Sequence, residues 1–171
     1  NNVAVGASEA LASGLERVAV IDFDVHHGNG TVDIFKDDPR VMVCSSFQHP
    51  FYPHRAHDVD RPNIVNTPLP AGTRGAQFRQ RVETDWLKKL DAHAPQLVFV
   101  SAGFDAHARD PLGGLELHES DYRWITELIA DVAARHAGGR IVSVLEGGYD
   151  LDAPARSVDA HVQVLREHDR S

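Results

Sequence analysis

Five short apolar runs, rich in β-branched residues, constrain this chain more than any other feature: RVAVIDF (17–23), VMVCS (41–45), NIVNTPL (63–69), QLVFVS (96–101) and RIVSVL (140–145). They lack the strict alternation of a half-wet strand and read as strands buried on both faces. Helical patterns fill the intervals. Val3, Ala4, Ala7, Ala10 and Leu11 recur at helical spacing ahead of Gly14, and residues 31–36 read as a short helix after Gly28-Asn29-Gly30. Phe78, Val82, Trp86 and Leu90 repeat every four residues, and Tyr122, Ile125, Ile129, Val132 and Ala133 mark another helix ending near Gly138-Gly139. Residues 153–168 look helical, and residues 48–62, rich in His, Pro and Asp, read as a loop. Strands separated by helices predict an α/β fold, a mostly parallel sheet between helices. With no convincing linker or internal repeat, residues 1–171 read as one domain.

A chain of 171 residues, 42% hydrophobic and 25% charged, can bury a real core, which excludes disordered and collagen-like classes. No apolar run approaches the roughly 20 residues of a membrane span. Seventeen Lys and Arg against 25 Asp and Glu give a net charge of −8, which disfavours direct nucleic-acid binding and tolerates cationic partners. The single cysteine, Cys44, excludes an internal disulfide and a CxxC zinc site, and fits a reducing compartment. The chain starts Asn1-Asn2-Val3 and its one methionine is Met42. No signal-peptide pattern is visible, so a cytoplasmic location is expected, with an N-terminus either processed or belonging to a longer chain.

In a parallel α/β sheet, functional groups gather at the carboxyl ends of the strands. Three runs end in suggestive tips: Asp22-Phe23-Asp24-Val25-His26-His27-Gly28, Ala102-Gly103-Phe104-Asp105-Ala106-His107, and Glu146-Gly147-Gly148-Tyr149. Asp24 and His26, two apart in extended chain, point the same way and make a half-site for a divalent ion. Asp105 could add a third ligand, giving the three-ligand, open-position pattern of a catalytic metal centre. Two carboxylates and an imidazole suit Zn2+, and also Fe2+, Co2+ or Mn2+. The bland alternative is that Asp and His beside a Gly-rich turn cap a helix or hold a loop. Tyr149 after two glycines has its own ordinary reading, a packed aromatic whose hydroxyl reaches solvent. His49, His54, His57 and His107 carry no assigned role. His93, His118, His136, His161 and His168 read as surface residues, Trp86 and Trp124 as helix packing, and Asp37-Asp38 as a solvated turn.

IDFDVHHGNGT, NIVNTPLPAGT, VSAGFDAHARDPLGGLEL and LEGGYDL, in this order and spacing, resemble the histone deacetylase superfamily. That group includes bacterial deacetylase-like amidohydrolases and acetylpolyamine amidohydrolases, and the Glu-Gly-Gly-Tyr form resembles its class II and bacterial branch. The resemblance implies the arginase–deacetylase fold and zinc-dependent hydrolysis of an acyl (acetyl) group from an acylated lysine side chain or an acetylpolyamine. By position it implies Asp24, His26 and Asp105 as zinc ligands and Tyr149 as the hydroxyl that helps stabilise the tetrahedral intermediate. Asp22 would orient a catalytic histidine and help bind a structural K+ or Na+, with Ser45 nearby. Asn29 matches the polar partner of a second catalytic histidine. Phe51, Tyr52 and Leu112 would line the acyl-lysine tunnel, and Gly148 would lie against the substrate chain.

One departure matters. The family's catalytic His-His pair precedes a Phe-Asn-Asn segment, and this chain begins at Asn1-Asn2. The expectation is therefore the C-terminal portion of a deacetylase-like domain, lacking its N-terminal strands and inactive alone. Two other readings stand beside it. A binuclear, arginase-like ureohydrolase would want a further carboxylate two residues beyond His26, where Gly28 stands. A non-catalytic acyl-lysine-binding module is kept open by the missing pair. A phosphatase suggested by Asp22-x-Asp24 is disfavoured by His26. The sequence does not specify the oligomeric state.

Overall fold

The structure is a computed structural model and describes residues 1–168. Ten elements follow one another: α1 (Asn2–Ala12), β1 (Val18–Asp22), α2 (Asn29–Phe35), β2 (Val41–Gln48), β3 (Ile64–Leu69), α3 (Gly75–His93), β4 (Leu97–Ala102), α4 (Glu119–His136), β5 (Ile141–Leu145) and α5 (Asp152–His168). The strands form one sheet in the order β3-β2-β1-β4-β5, and every neighbouring pair is parallel. β1 sits in the middle, so its carboxyl end opens at the centre of the rim. There Asp22 pairs in register with Ser45 of β2 on one side and Ser101 of β4 on the other.

Alternation along β1 sorts its side chains between two layers. Ala19 and Ile21 face a core shared with Phe78, Val82, Trp86 and Leu90 of α3 and Tyr122, Ile125 and Ile129 of α4. Val18 and Val20 face the other way, against Val3, Ala4 and Ala7 of α1 and Val32 and Phe35 of α2. The every-fourth-residue stripe of α3 is thus its buried face. Each large aliphatic side chain taken from water here stabilises the fold by about 1.5–3 kcal/mol. α1 starts where the Asn1 side chain accepts the Ala4 N–H at 3.0 Å, a local cap. No helix among the described residues is long and apolar enough to cross a membrane.

Three expectations need correction. β5 is not buried on both faces: among the described residues it is the edge strand of the sheet, with Val142 and Leu145 exposed. β2 runs on through Gln48 into the expected loop. Ser45, Ser46 and Gln48 are polar and interrupt the apolar run around Phe47, yet Ser46–Gln48 pair with Thr67–Leu69 of β3 and are buried. His161 is not a surface residue but is buried under β5. Its Nδ1 lies 2.7 Å from Thr126 Oγ1, whose own proton goes to the Tyr122 carbonyl at 2.6 Å, so Nδ1–H is the donor. Nε2 then accepts the Ser143 hydroxyl at 2.9 Å. With both ring nitrogens paired, a neutral imidazole is accommodated in the core, and burial pushes its pKa down to about 4.

Candidate metal centre

The turn after β1 is built by its own acidic side chains. Asp22 accepts the Asp24 N–H at 3.1 Å, and Asp24 Oδ1 accepts the His26 N–H at 2.8 Å. This folds the chain so that His26 Nδ1 lies 2.9 Å from Asp24 Oδ1. Asp105, at the end of β4, is fully buried. Its Oδ1 accepts the Val25 N–H at 2.9 Å and fixes the two strand tips together. Its Oδ2 is buried without a hydrogen bond and lies 3.1 Å from His26 Nδ1. The third tip closes the ring, since the Gly147 N–H donates to Asp24 Oδ2 at 3.0 Å. A side chain at Gly147 would overlap the carboxylates of both Asp24 and Asp105, which explains why glycine stands there.

One ligand atom from each of Asp24, His26 and Asp105 lies within 4.8 Å of the others. Two donors each about 2.0–2.1 Å from one tetrahedral ion sit roughly 3.3 Å apart, so the observed separations fit a shared ion with small adjustment. The electrostatics point the same way. Burial, then the charge of Asp24, pushes the Asp22 carboxyl up. Burial also raises Asp105, opposed by its contact with His26. Glu146, raised by burial and by Asp24, adds a further carboxylate on the same rim. The close carboxylates of Asp105, then of Asp24, push His26 up to about 10. Two buried carboxylates, Asp22 and Asp105, beside the half-buried Asp24 are costly without a cation, and two carboxylate oxygens with one imidazole are a suitable donor set for zinc.

The other expected site residues fall around this point. Asp22 is buried with Ser45 beside it, and the Gly28 N–H reaches the Ser45 hydroxyl at 3.4 Å. Asn29 opens α2 and, with Asp22, Asp24, His26 and Glu146, lines a cavity of about 400 Å³ behind the ligands. Phe51 stacks on the His26 ring (5.4 Å between centroids, 21° between planes), and Tyr52 meets it edge-on at 6.0 Å. Leu112 and Tyr149 are exposed. Desolvation, then the charges of Asp105 and Asp24, pushes the Tyr149 phenol up, which ties it electrostatically to the centre. Gly148 has a φ of 144° and packs against Pro154 and Phe104, a backbone that favours glycine.

Two residues went unnoticed in the sequence. Asn66 accepts from His27 Nε2 at 2.7 Å and donates to the carbonyls of Ala56, His57 and Val59, so it pins the loop that carries Phe51 and Tyr52. Asp110, 7% exposed, accepts the N–H groups of both Leu112 and Tyr149. An asparagine inside a strand and an Asp-Pro in a loop each carry an ordinary local reading, and only the tertiary fold reveals their partners. His107, left without a role above, is buried. With His118 and Glu119 it forms a second group of possible ligands. There, however, His107 Nδ1 accepts the Arg109 N–H at 3.1 Å, which leaves the proton on Nε2, and Glu119 is ion-paired to Arg156 at 2.6 Å. That group reads as a structural contact.

Comparison with known proteins agrees with the geometry. Residues 1–165 match the family model described as histone deacetylase domain. Type-2 histone deacetylase 2 of Dictyostelium discoideum is 43% identical over 98% of this chain, and a histone deacetylase-like amidohydrolase of Pseudomonas aeruginosa is 42% identical over 86% of it. The crystal structure of the HDA15 HD domain superposes with a TM-score of 0.91 at 34% identity over 98% of the chain, which identifies the sheet and its helices as the arginase–deacetylase fold. The chain spans 11% and 41% of the two relatives' lengths and 50% of the HDA15 chain. With its strand tips assembled as described and its sequence matched almost end to end, the chain belongs to the histone deacetylase family.

Proposed function

We propose that this chain carries the metal-binding half of a zinc-dependent deacetylase, an amidohydrolase that removes an acetyl or related acyl group from an acylated lysine or polyamine. The observation behind this reading is the convergence of Asp24 Oδ1, His26 Nδ1 and the unpaired, buried Asp105 Oδ2. Zinc held there would polarise the amide carbonyl and lower the pKa of a bound water.

The chain's own side chains do the rest of their share by position. Asp24, His26 and Asp105 hold the ion. Tyr149 donates a hydrogen bond to the developing oxyanion, a contact worth about 3 kcal/mol in comparable sites. Phe51 and Tyr52, with Leu112 opposite, give the methylene stem of the substrate an apolar slot. Asp22 and Ser45 hold a K+ or Na+ beneath the rim. His26 is a ligand and His27 is turned to Asn66, so neither is free to act as general base. In this reading the base comes from a His-His pair outside residues 1–171.

The test is a zinc-loaded preparation of residues 1–171, assayed for alkyl hydroxamate binding and for turnover of an acetyl-lysine peptide. Zinc-dependent binding without turnover is expected. Full turnover would contradict the placement of the base, and absence of zinc-dependent binding would contradict the deacetylase reading itself.

A further inference from the structure

Two loops meet beside the centre, one running from β4 to α4 and the other from β5 to α5. The carboxylate of Asp110 joins them. Its Oδ1 accepts the Leu112 N–H at 2.8 Å and its Oδ2 accepts the Tyr149 N–H at 2.7 Å. Arg109 adds a parallel link, pairing with Asp150 at 3.2 Å, while Asp150 caps α5 through the Ala153 N–H at 2.8 Å. Two successive residues of one loop therefore grip two successive residues of the other.

Tyr149 needs such a grip. Gly147 and Gly148 precede it, and glycine imposes little conformational preference of its own. Gly147 is held by Asp24 and by the Phe104 N–H, but Tyr149 is 53% exposed. Asp110 makes the one side-chain hydrogen bond to Tyr149 among the described residues. Short bonds from N–H groups to a buried carboxylate are the stronger kind. An amide at this position could accept only one of the two N–H groups and would turn its own donor toward the other.

We infer that Asp110 is a positioning residue that sets the Tyr149 phenol and the Leu112 wall as one unit. It touches neither metal nor substrate. It acts through the backbone of Tyr149. The functional side of this inference rests on the deacetylase reading above, while the mechanical link between the loops does not.

The test is alkyl hydroxamate affinity, by calorimetry on the zinc-loaded chain, for wild type, Asp110→Asn, Tyr149→Phe and the double variant. Asp110→Asn should weaken binding about tenfold, the scale of one charge-assisted hydrogen bond, with zinc content unchanged. In the Tyr149→Phe background the same change should cost less than about twofold, because coupled residues are non-additive. Wild-type affinity in Asp110→Asn, or losses that simply multiply, would overturn the inference. Loss of zinc together with affinity would also overturn it, since Asp110 would then support the ligand loop. A second measurement needs no variant: amide hydrogen exchange of Leu112 and Tyr149, corrected for intrinsic rates, should report one common opening. Protection differing by more than about tenfold would contradict the clip. If the zinc-loaded wild type takes no hydroxamate, the deacetylase reading falls and the exchange comparison still decides the link.

Discussion

Asp105 divides its two oxygens between structure and chemistry: one accepts the Val25 N–H at 2.9 Å, and the other faces His26 Nδ1 at 3.1 Å with no hydrogen bond of its own. A buried oxygen left unpaired costs about 1–3 kcal/mol, more for a charged group. In the proposed zinc centre this oxygen would be one of the three ligand atoms. On that reading, zinc binding should raise the stability of the chain.

Gly147→Ala tests how tightly the third strand tip closes this site. A Cβ there would collide with the carboxylates of Asp24 and Asp105, so one of them must move. Zinc affinity should fall by at least about tenfold, and overpacking should cost about 1–3 kcal/mol of stability. Zinc titration followed by denaturant unfolding checks both. Unchanged zinc affinity would show that the tip is free to move away.

The acid side of the stability profile should carry the signature of His161. Its pKa is pushed from 6.5 down to about 4 by burial. The unfolded chain therefore binds a proton that the folded chain refuses as pH falls from about 6.5 to 4. Stability drops across that window, by about 3 kcal/mol in total, and no further below it from this group. Urea unfolding of wild type and His161→Asn at several pH values measures it. The variant should lose most of that slope, whereas a variant curve parallel to wild type would place the proton elsewhere.

The free edge of β5 should make the chain prone to association. Val142 and Leu145 are 43% and 67% exposed on a strand with no proline or charge along it. Val142→Lys should lower the concentration-dependent rise in sedimentation coefficient without changing zinc affinity. Equal association in both proteins would clear this edge.

The layout of the sheet was legible because β-branched runs and four-residue stripes report burial directly, as with Val18–Asp22 in the middle of the sheet and Phe78 to Leu90 against it. The candidate ligands Asp24 and His26 stood out because they lie two apart beyond a strand, although a bend at residues 24–26, and not an extended segment, brings their side chains together. What could not be read depended on partners distant in sequence. His161 looks like any polar residue on a helix until Thr126 and Ser143 meet it. Asp110 looks like a turn residue until Tyr149 arrives from 39 residues away. β5 has the composition of a central strand, yet among the described residues no strand pairs with its outer edge, and no local pattern encodes that.

The central claim is that Asp24, His26 and Asp105 share one divalent ion, and zinc titration of the purified chain against its Asp105→Asn variant tests it most directly. Asparagine keeps the bond to Val25 and removes the ligand charge. The account predicts one zinc per wild-type chain, a stabilisation of about 4 kcal/mol when zinc is present at a thousandfold excess over Kd, and loss of both in the variant. Equal zinc binding by the two proteins, or two ions per chain, would contradict it.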